Sequence, residues 1–275
     1  MLNITKNDLT KIKEPLRYTG GEYGEVIKNE SEIQIRVALC YPNLYDIGMN
    51  NYTTMYLYSL LNSKKGIYAE RFFMPDLDIE KLLINNNQNL FSLETKKEMN
   101  CFDFAIFVLH DEIEYINVAC MLKLSKINNK DSKRPIIIGM IDNFEFKHCN
   151  LDNIFDIFVY GNKSVIYNDI LFRYGVYKSQ KLSISDYLYS INSIENVVVP
   201  CIDSNKKIEI ENKSQRKIQD EKIFPMIPVS NISSINQRLN IKYNSNILKL
   251  YQDIIKLIKN TGITNLNFID VTNDY

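Results

Sequence analysis

Two histidines and five cysteines are the side chains from which most catalysis would have to be assembled in this 275-residue chain. His110 opens the run His110-Asp111-Glu112, directly after an apolar stretch that reads as a strand. Strand ends of this kind face ligand crevices in open α/β sheets. An imidazole beside two carboxylates can move a proton, yet the same trio at a helix start is more often a cap. His148-Cys149 places an imidazole next to a thiol, but sequence neighbours seldom face each other, so packing is the better reading. Cys40, Cys101, Cys120, Cys149 and Cys201 are widely scattered and odd in number, with no Cys-x-x-Cys spacing. They fit free or buried thiols in a reducing, cytoplasmic compartment better than a disulfide frame or a metal knuckle. No G-x-G-x-x-G, P-loop or G-x-S-x-G run occurs, which argues against dinucleotide, nucleotide and hydrolase chemistry.

The elements that must position these residues follow from hydrophobic pattern. Buried strands are expected at 33–40 (IQIRVALC), 67–73, 104–109 (FAIFVL), 135–139, 157–160 and 197–201. Helices are expected between them at 50–62, 78–84, 112–127, 165–173 and 185–191, with Asp76 and Asp78 as cap candidates for the second. In the helix at 112–127, Ile113, Ile116, Cys120, Leu124 and Ile127 are expected to share the inner face. Strands alternating with helices give an α/β, Rossmann-like domain over 31–202, with a mainly parallel sheet covered on both faces. Residues 1–30, with Gly20, Gly21 and Gly24, read as an arm leading into it. The charged, amide-rich stretch 203–224 reads as a linker or hairpin, and Pro225 and Pro228 mark a boundary. A helix at 245–260, stopped by Gly262, and a strand at 265–271 follow.

An apolar content of 45% is enough for a sizeable core. The 33 basic and 33 acidic residues balance, leaving no electrostatic footprint for nucleic acid or an anionic membrane. No stretch reaches the roughly 18 consecutive apolar residues of a membrane helix, and residues 1–14 are too polar for a secretory signal. Ligands in such a sheet bind beyond the carboxyl ends of the strands. The informative loops are therefore those after Cys40, Leu109, Ile138 and Tyr160, and the first reads Asn43-Leu44-Tyr45-Asp46-Ile47-Gly48-Met49-Asn50.

That loop resembles the Asp-x-His-x-x-Gly loop of cobalamin-binding domains, where the His ligates cobalt and the Asp orients it. Asn43 stands at the Asp position, Tyr45 at the His position and Gly48 at the Gly position. A neutral phenol is a poor metal ligand beside an imidazole, so the resemblance keeps the loop and loses the ligand. For Tyr45 and Asp46, turn and helix start outweigh ligand contact.

A longer resemblance spans most of the chain. Arg17-Tyr18-Thr19-Gly20-Gly21-Glu22-Tyr23, Tyr45-Asp46-Ile47-Gly48-Met49, Ala69-Glu70-Arg71, Leu90-Phe91-Ser92-Leu93-Glu94 and Glu114-Tyr115-x-Asn117 fall in order. Together they resemble the N-terminal half of a bacterial radical SAM family that carries a cobalamin-binding-like domain ahead of its catalytic barrel. Asn260-Thr261-Gly262 and Asn273-Asp274-Tyr275 resemble the end of the barrel's first helix and its second strand, so 225–275 is expected as a partial barrel segment. The resemblance makes Asn43, Tyr45, Asp46, Gly48, Gly139 and Gly161 the candidate cofactor-contacting positions. The family's cofactors would be a 4Fe–4S cluster, S-adenosylmethionine and a corrinoid.

The departures decide what is expected of this chain. Gly139-Met140-Ile141 stands where the family has a Gly-Gly-Pro turn, and Gly161-Asn162-Lys163-Ser164 where it has Gly-Asp-Gly-Glu. The family's Cys-x-x-x-Cys-x-x-Cys would fall within 236–244, which contains no cysteine. Three thiolates hold such a cluster while one iron stays open for S-adenosylmethionine. The resemblance thus implies a truncated or degenerate member with no catalytic residues, metal or cofactor of its own. It would serve as a binding or docking module, or as one piece of a split enzyme whose barrel lies on a separate chain.

Overall fold

The computed structural model describes residues 10–110, 114–128, 134–141, 154–161, 163–202, 239–243 and 266–270. Strand β1 (Ile35–Tyr41) leads through a short α1 (Tyr45–Gly48) to α2 (Tyr52–Ser63), and then to β2 (Ile67–Phe73) and α3 (Leu77–Asn85). Next come β3 (Phe104–Leu109), α4 (Glu114–Leu124), β4 (Ile136–Ile141) and β5 (Ile157–Tyr160). A π-helical stretch, Ile166–Leu171, runs into α5 (Phe172–Gln180), followed by α6 (Ile184–Asn192) and β6 (Val197–Val198). These six strands form one sheet in the order β2-β1-β3-β4-β5-β6. The first five run parallel, and β6 closes the far edge antiparallel to β5. The expected mainly parallel sheet is present; the strand expected at 197–201 is shorter and runs antiparallel.

Strand alternation sorts the core into two layers. Val37, Leu39, Ile106, Val108, Ile138 and Val159 face α2, α5 and α6. Ala38, Cys40, Phe107, Ile137 and Phe158 face α3 and α4. Both faces are dry, which is why the strands read as near-continuous apolar runs. Helix starts follow the capping rules: Asn51 accepts the Thr54 N–H at 2.8 Å, Asp76 accepts that of Leu77 at 2.8 Å, and Ser183 with Asp186 forms a capping box.

In α4 the inner face differs from the expected one. Tyr115, Val118, Met121 and Leu122 are buried together with Leu124 of the expected stripe, while Ile116 is 67% exposed. The helix reads EYINVACMLKL, with two overlapping apolar stripes, and packing against β3 and α3 selects the other one. Gly139 also departs from expectation. β4 does not end there but runs on to Ile141, and Gly139 pairs with Phe107 and Phe158 in the sheet interior. A Cβ on Gly139 would lie 2.8 Å from the Phe158 ring and 3.2 Å from that of Phe155. The missing side chain is filled by two aromatic rings.

β2 is an edge strand, and its outward backbone groups would invite pairing with another chain. They are all taken. Lys28 donates to the Ile67 carbonyl at 2.5 Å, and the Asn62 amide brackets Ala69 with two bonds of 3.0 Å. Leu93 N–H donates to the Arg71 carbonyl at 2.7 Å, and Glu94 accepts the Arg71 N–H at 2.7 Å. The segment that supplies Leu93 and Glu94 folds back on itself through a bridge between Phe91 and Glu98.

Farther along, β7 (Leu239–Tyr243) and β8 (Leu266–Asp270) pair in parallel. β8 falls on the expected last strand. β7 lies inside 236–244, the interval expected to be the cluster loop, and its alternation Leu-Asn-Ile-Lys-Tyr is the strand signature. The boundary at Pro225 and Pro228 and the helix expected at 245–260 lie outside the described residues. No helix among the described residues is long and apolar enough to cross a membrane.

Gly139→Val is expected to destabilise the chain by about 1–3 kcal/mol, because two buried rings must move. Gly175→Ala, in α5 with nothing within 4 Å of the new methyl, should stabilise it by about 0.5–1 kcal/mol. Urea unfolding of both variants against the parent chain measures the pair.

Candidate functional site

The loop between β1 and α2 holds four of the six candidate positions, and it packs inward. Asn43 accepts the Leu44 N–H with its side chain at 2.9 Å and the Met74 N–H with its carbonyl at 3.0 Å, stitching the ends of β1 and β2 together. Tyr45 is 1% exposed and stands edge-on to Phe73, with ring centroids 5.4 Å apart. Asp46 accepts from Arg17 at 2.5 Å, and the same guanidinium reaches Asp76 at 3.1 Å. A Cβ on Gly48 would fall 2.4 Å from the Phe73 ring and 2.9 Å from that of Tyr41. Gly48 is therefore a helix-to-ring contact. Gly161 sits at the end of β5 in a left-handed conformation (φ 64°), its N–H donating to the Ile141 carbonyl at 3.0 Å. The structure gathers Asn43, Tyr45, Asp46 and Gly48 in one loop and leaves Gly139 and Gly161 on other strands.

A buried cluster of charge lies nearby. Arg71 on β2 is 1% exposed and anchors a set of groups from four distant segments. Its Nε–H donates to Glu94 at 2.6 Å, and one terminal nitrogen donates to Glu22 at 2.8 Å. Its other terminal nitrogen lies 3.1 Å from the Met49 sulfur, and the guanidinium stacks 4.9 Å from the centre of the Tyr58 ring. Burial pushes the Glu94 carboxyl above its ordinary range, and Arg71 only partly pulls it back. Arg71 keeps its proton, because both carboxylates hold it there against the cost of burial. Glu70 points to the opposite face of the strand, where Arg36 (2.8 Å), Ser92 (2.8 Å) and Thr95 (2.5 Å) compensate it fully.

A second cluster lies where the strand order reverses. β1 leads leftward to β2 and β3 resumes on its right, so the crevice between the carboxyl ends of β1 and β3 is the topological switch point. Tyr41 and His110 end those two strands, with ring centroids 6.1 Å apart. Asn51 spends its side-chain oxygen on the Thr54 N–H and hydroxyl, which leaves its amide nitrogen to donate to His110 Nε2 at 2.7 Å. Nε2 is then an acceptor and the ring proton resides on Nδ1. The buried Glu114 accepts the His110 N–H at 2.6 Å, and Asn117 donates to the Pro42 carbonyl at 2.8 Å. Burial, with the Glu114 charge behind it, pushes the Tyr41 phenol up to about 12, so it remains a donor. Chemically this is an oriented imidazole beside a fixed phenol, suited to binding and positioning. Its neighbours Asp111 and Glu112 lie outside the described residues.

The thiols do not converge. Cys40 is buried in β1 with its pKa pushed well up by burial, Cys101 is exposed in the turn before β3, Cys120 is on α4, and Cys201 is exposed after β6. Cys149 lies outside the described residues. Among the described residues no three His, Cys, Asp or Glu side chains come together as metal ligands.

A family model described as radical SAM proteins, N-terminal, matches residues 53–200, more than half of the chain. The chain belongs to that family. No curated protein and no solved structure matches it.

The matched span of this radical SAM N-terminal region begins in α2 and ends just after β6. It includes Arg71, Glu94, His110 and Glu114, while Arg17, Glu22 and Met49 precede it. The segments that carry the sequence resemblance meet in space: Glu22, Met49, Arg71 and Glu94 come from four of them. Sequence reasoning did not single out this network. Its signal was the pair Glu70-Arg71 inside the otherwise apolar strand IYAERFF, since charges enter a buried strand only with partners.

Arg71→Met should cost about 3–5 kcal/mol, because Glu22 and Glu94 would remain buried without their counter-charge. Replacing Arg71, Glu22 and Glu94 together by apolar residues should recover most of that loss. Chemical denaturation of the single and triple variants measures both effects.

Proposed function

We propose that this member of the radical SAM N-terminal family is a cytoplasmic binding or docking module that does not itself generate a radical. The observation that carries the reading is in the sequence: the interval 236–244, where the family's three cluster cysteines would stand, has none. Three thiolates are the minimum that leaves one iron open for S-adenosylmethionine. The free thiols on β1, α4 and the two exposed turns do not fit that role.

A corrinoid fits the β1–α1 loop no better. The position that would supply an imidazole carries Tyr45, sealed against Phe73, and the glycine of that loop is closed over by the Phe73 and Tyr41 rings. Asn43 brings no carboxylate to raise a ligand's basicity. On this reading the switch-point group of Tyr41, Asn51 and His110 is what the domain offers to a bound molecule or partner, through an imidazole held in one tautomer by Asn51.

A second reading, one piece of a split radical SAM enzyme, is favoured by the parallel pairing of β7 with β8. That is the pairing with which a β/α barrel starts. The partner would then be a chain carrying the cluster motif.

Anaerobic reconstitution with iron and sulfide should give no stable 4Fe–4S absorbance from this chain alone. A stoichiometric cluster that cleaves S-adenosylmethionine on reduction would overturn the proposal. Equilibrium dialysis with hydroxocobalamin should show weak or no uptake, unchanged in Tyr45→His because the new imidazole would replace a ring packed on Phe73. Tight uptake with a histidine-ligated absorption spectrum in that variant would show that the loop still cradles a corrinoid. Stoichiometric co-purification with a cluster-bearing chain that becomes active only in the complex would favour the split-enzyme reading.

A further inference from the structure

The strap that precedes β1 is pinned at two places and hinged between them. On one side Arg17 binds Asp46 and Asp76, and the Tyr18 hydroxyl accepts the Asp76 N–H at 3.0 Å. On the other, Val26 N–H donates to the Tyr58 hydroxyl at 2.9 Å and the Val26 carbonyl accepts from Tyr68 at 3.1 Å. Between these pins stand Gly20, Gly21 and Gly24 with φ of 74°, 88° and 88°, a backbone that other residues rarely adopt. Glu22, in the middle, is the one strap residue that reaches Arg71, and it is 4% exposed.

The charges beneath the strap do not balance. Arg71 faces Glu22 and Glu94, and Glu94 already takes two of its N–H groups and the Tyr58 hydroxyl. Glu22 is left with a single bond, and its other oxygen, Oε1, is buried with no hydrogen-bond partner among the described residues. The remaining groups do not close the gap. Lys96 donates to the Thr19 and Leu93 carbonyls, Glu25 accepts the Gly21 N–H at 2.8 Å, and Glu70 is matched by Arg36 across the sheet. The phenols of Tyr58 and Tyr68 are neutral, held up chiefly by burial. Against the cations Arg71 and Lys96 stand Glu22, Glu25 and Glu94, one carboxylate in excess.

We propose that residues 20–25 form a proton-sensitive latch: Glu22 holds the strap on Arg71 while Glu94 keeps its proton, and loss of that proton to solvent leaves Arg71 to Glu94 and releases the strap. With Oε1 unpartnered, Glu22 is the weaker-held of the two carboxylates, and the glycines supply the hinge. The sign follows from Glu94, whose carboxyl burial raises in the closed form. A group with a raised folded pKa stabilises the closed state below its unfolded pKa, and that stability is lost as pH rises through the folded value. The latch is therefore shut at acid pH and opens toward alkaline pH, exposing Arg71 beside α1.

The chain contains no tryptophan, so Tyr23→Trp, at a half-exposed strap position, gives a single reporter. Acrylamide quenching of that tryptophan should rise roughly twofold or more in one titration above the ordinary carboxylate value of about 4. Far-UV circular dichroism should stay constant throughout. Adding Glu22→Gln or Glu94→Gln should abolish the titration and leave the strap shut. Hydrogen exchange at the Gly20, Gly21 and Gly24 amides of the unsubstituted chain, corrected for intrinsic rates, should follow the same curve, which keeps the test valid if either variant fails to fold. Quenching and exchange that are flat with pH, or a titration surviving in both Gln variants, would overturn the latch.

Discussion

Burying a guanidinium is the constraint around which this domain is arranged. Arg71 lies in the edge strand of a mostly apolar sheet, and an unpaired charge there would cost several kcal/mol. Its partners therefore have to be brought in, and each arrives on a different segment. Glu94 comes on the loop that seals the open edge of β2, Glu22 on the strap, Met49 at the end of α1 and Tyr58 from α2. One cation thus specifies how four stretches of chain, far apart in sequence, close around the first two strands. Buried ion networks of this kind give register more reliably than they give net stability.

The same arrangement explains why the β1–α1 loop is a poor pocket. With α1 drawn toward Arg71 through Met49, and Asp46 tied to Arg17, Tyr45 and Gly48 are pressed onto Phe73 and Tyr41. Space that a ligand could have used at the end of β1 is taken up by aromatic rings. What remains at the carboxyl edge is the β1/β3 crevice, where Asn51 fixes the His110 ring and Asn117 fixes the turn at Pro42. A site there would rest on residues that the scaffold already holds still, which favours recognition over proton transfer.

Much of the fold was legible in the sequence, because buried parallel strands are continuous apolar runs. The 67–73 strand was bounded to the residue, and one of the two cap candidates before α3, Asp76, is its N-cap. The misreadings share a cause. α4 offered two apolar stripes, and only its neighbours decide between them. Gly139 looked like a strand end, but glycine also marks close approach, here of the Phe158 ring. The charge network was not foreseen: Glu70-Arg71 in an apolar strand signals buried partners, but not that Glu22 and Glu94 supply them. At the loop after β1, a sequence pattern could show that the imidazole was missing, but not that Tyr45 would turn inward.

The domain has kept the costly part of its architecture. A buried cation with two carboxylates gives little stability over an apolar core, so its use lies in holding the strap, α1 and the β2 edge in one arrangement. Those elements flank the carboxyl edge of the sheet, the side on which α/β domains meet ligands and partners. On the reading proposed above, that edge is where this chain acts: it presents a shaped surface, and the radical step belongs to whatever docks against it. On that reading the chain needs only a rim that holds its form. Arg71 under the strap and Asn51 beside His110 are the two contacts that give the rim that form.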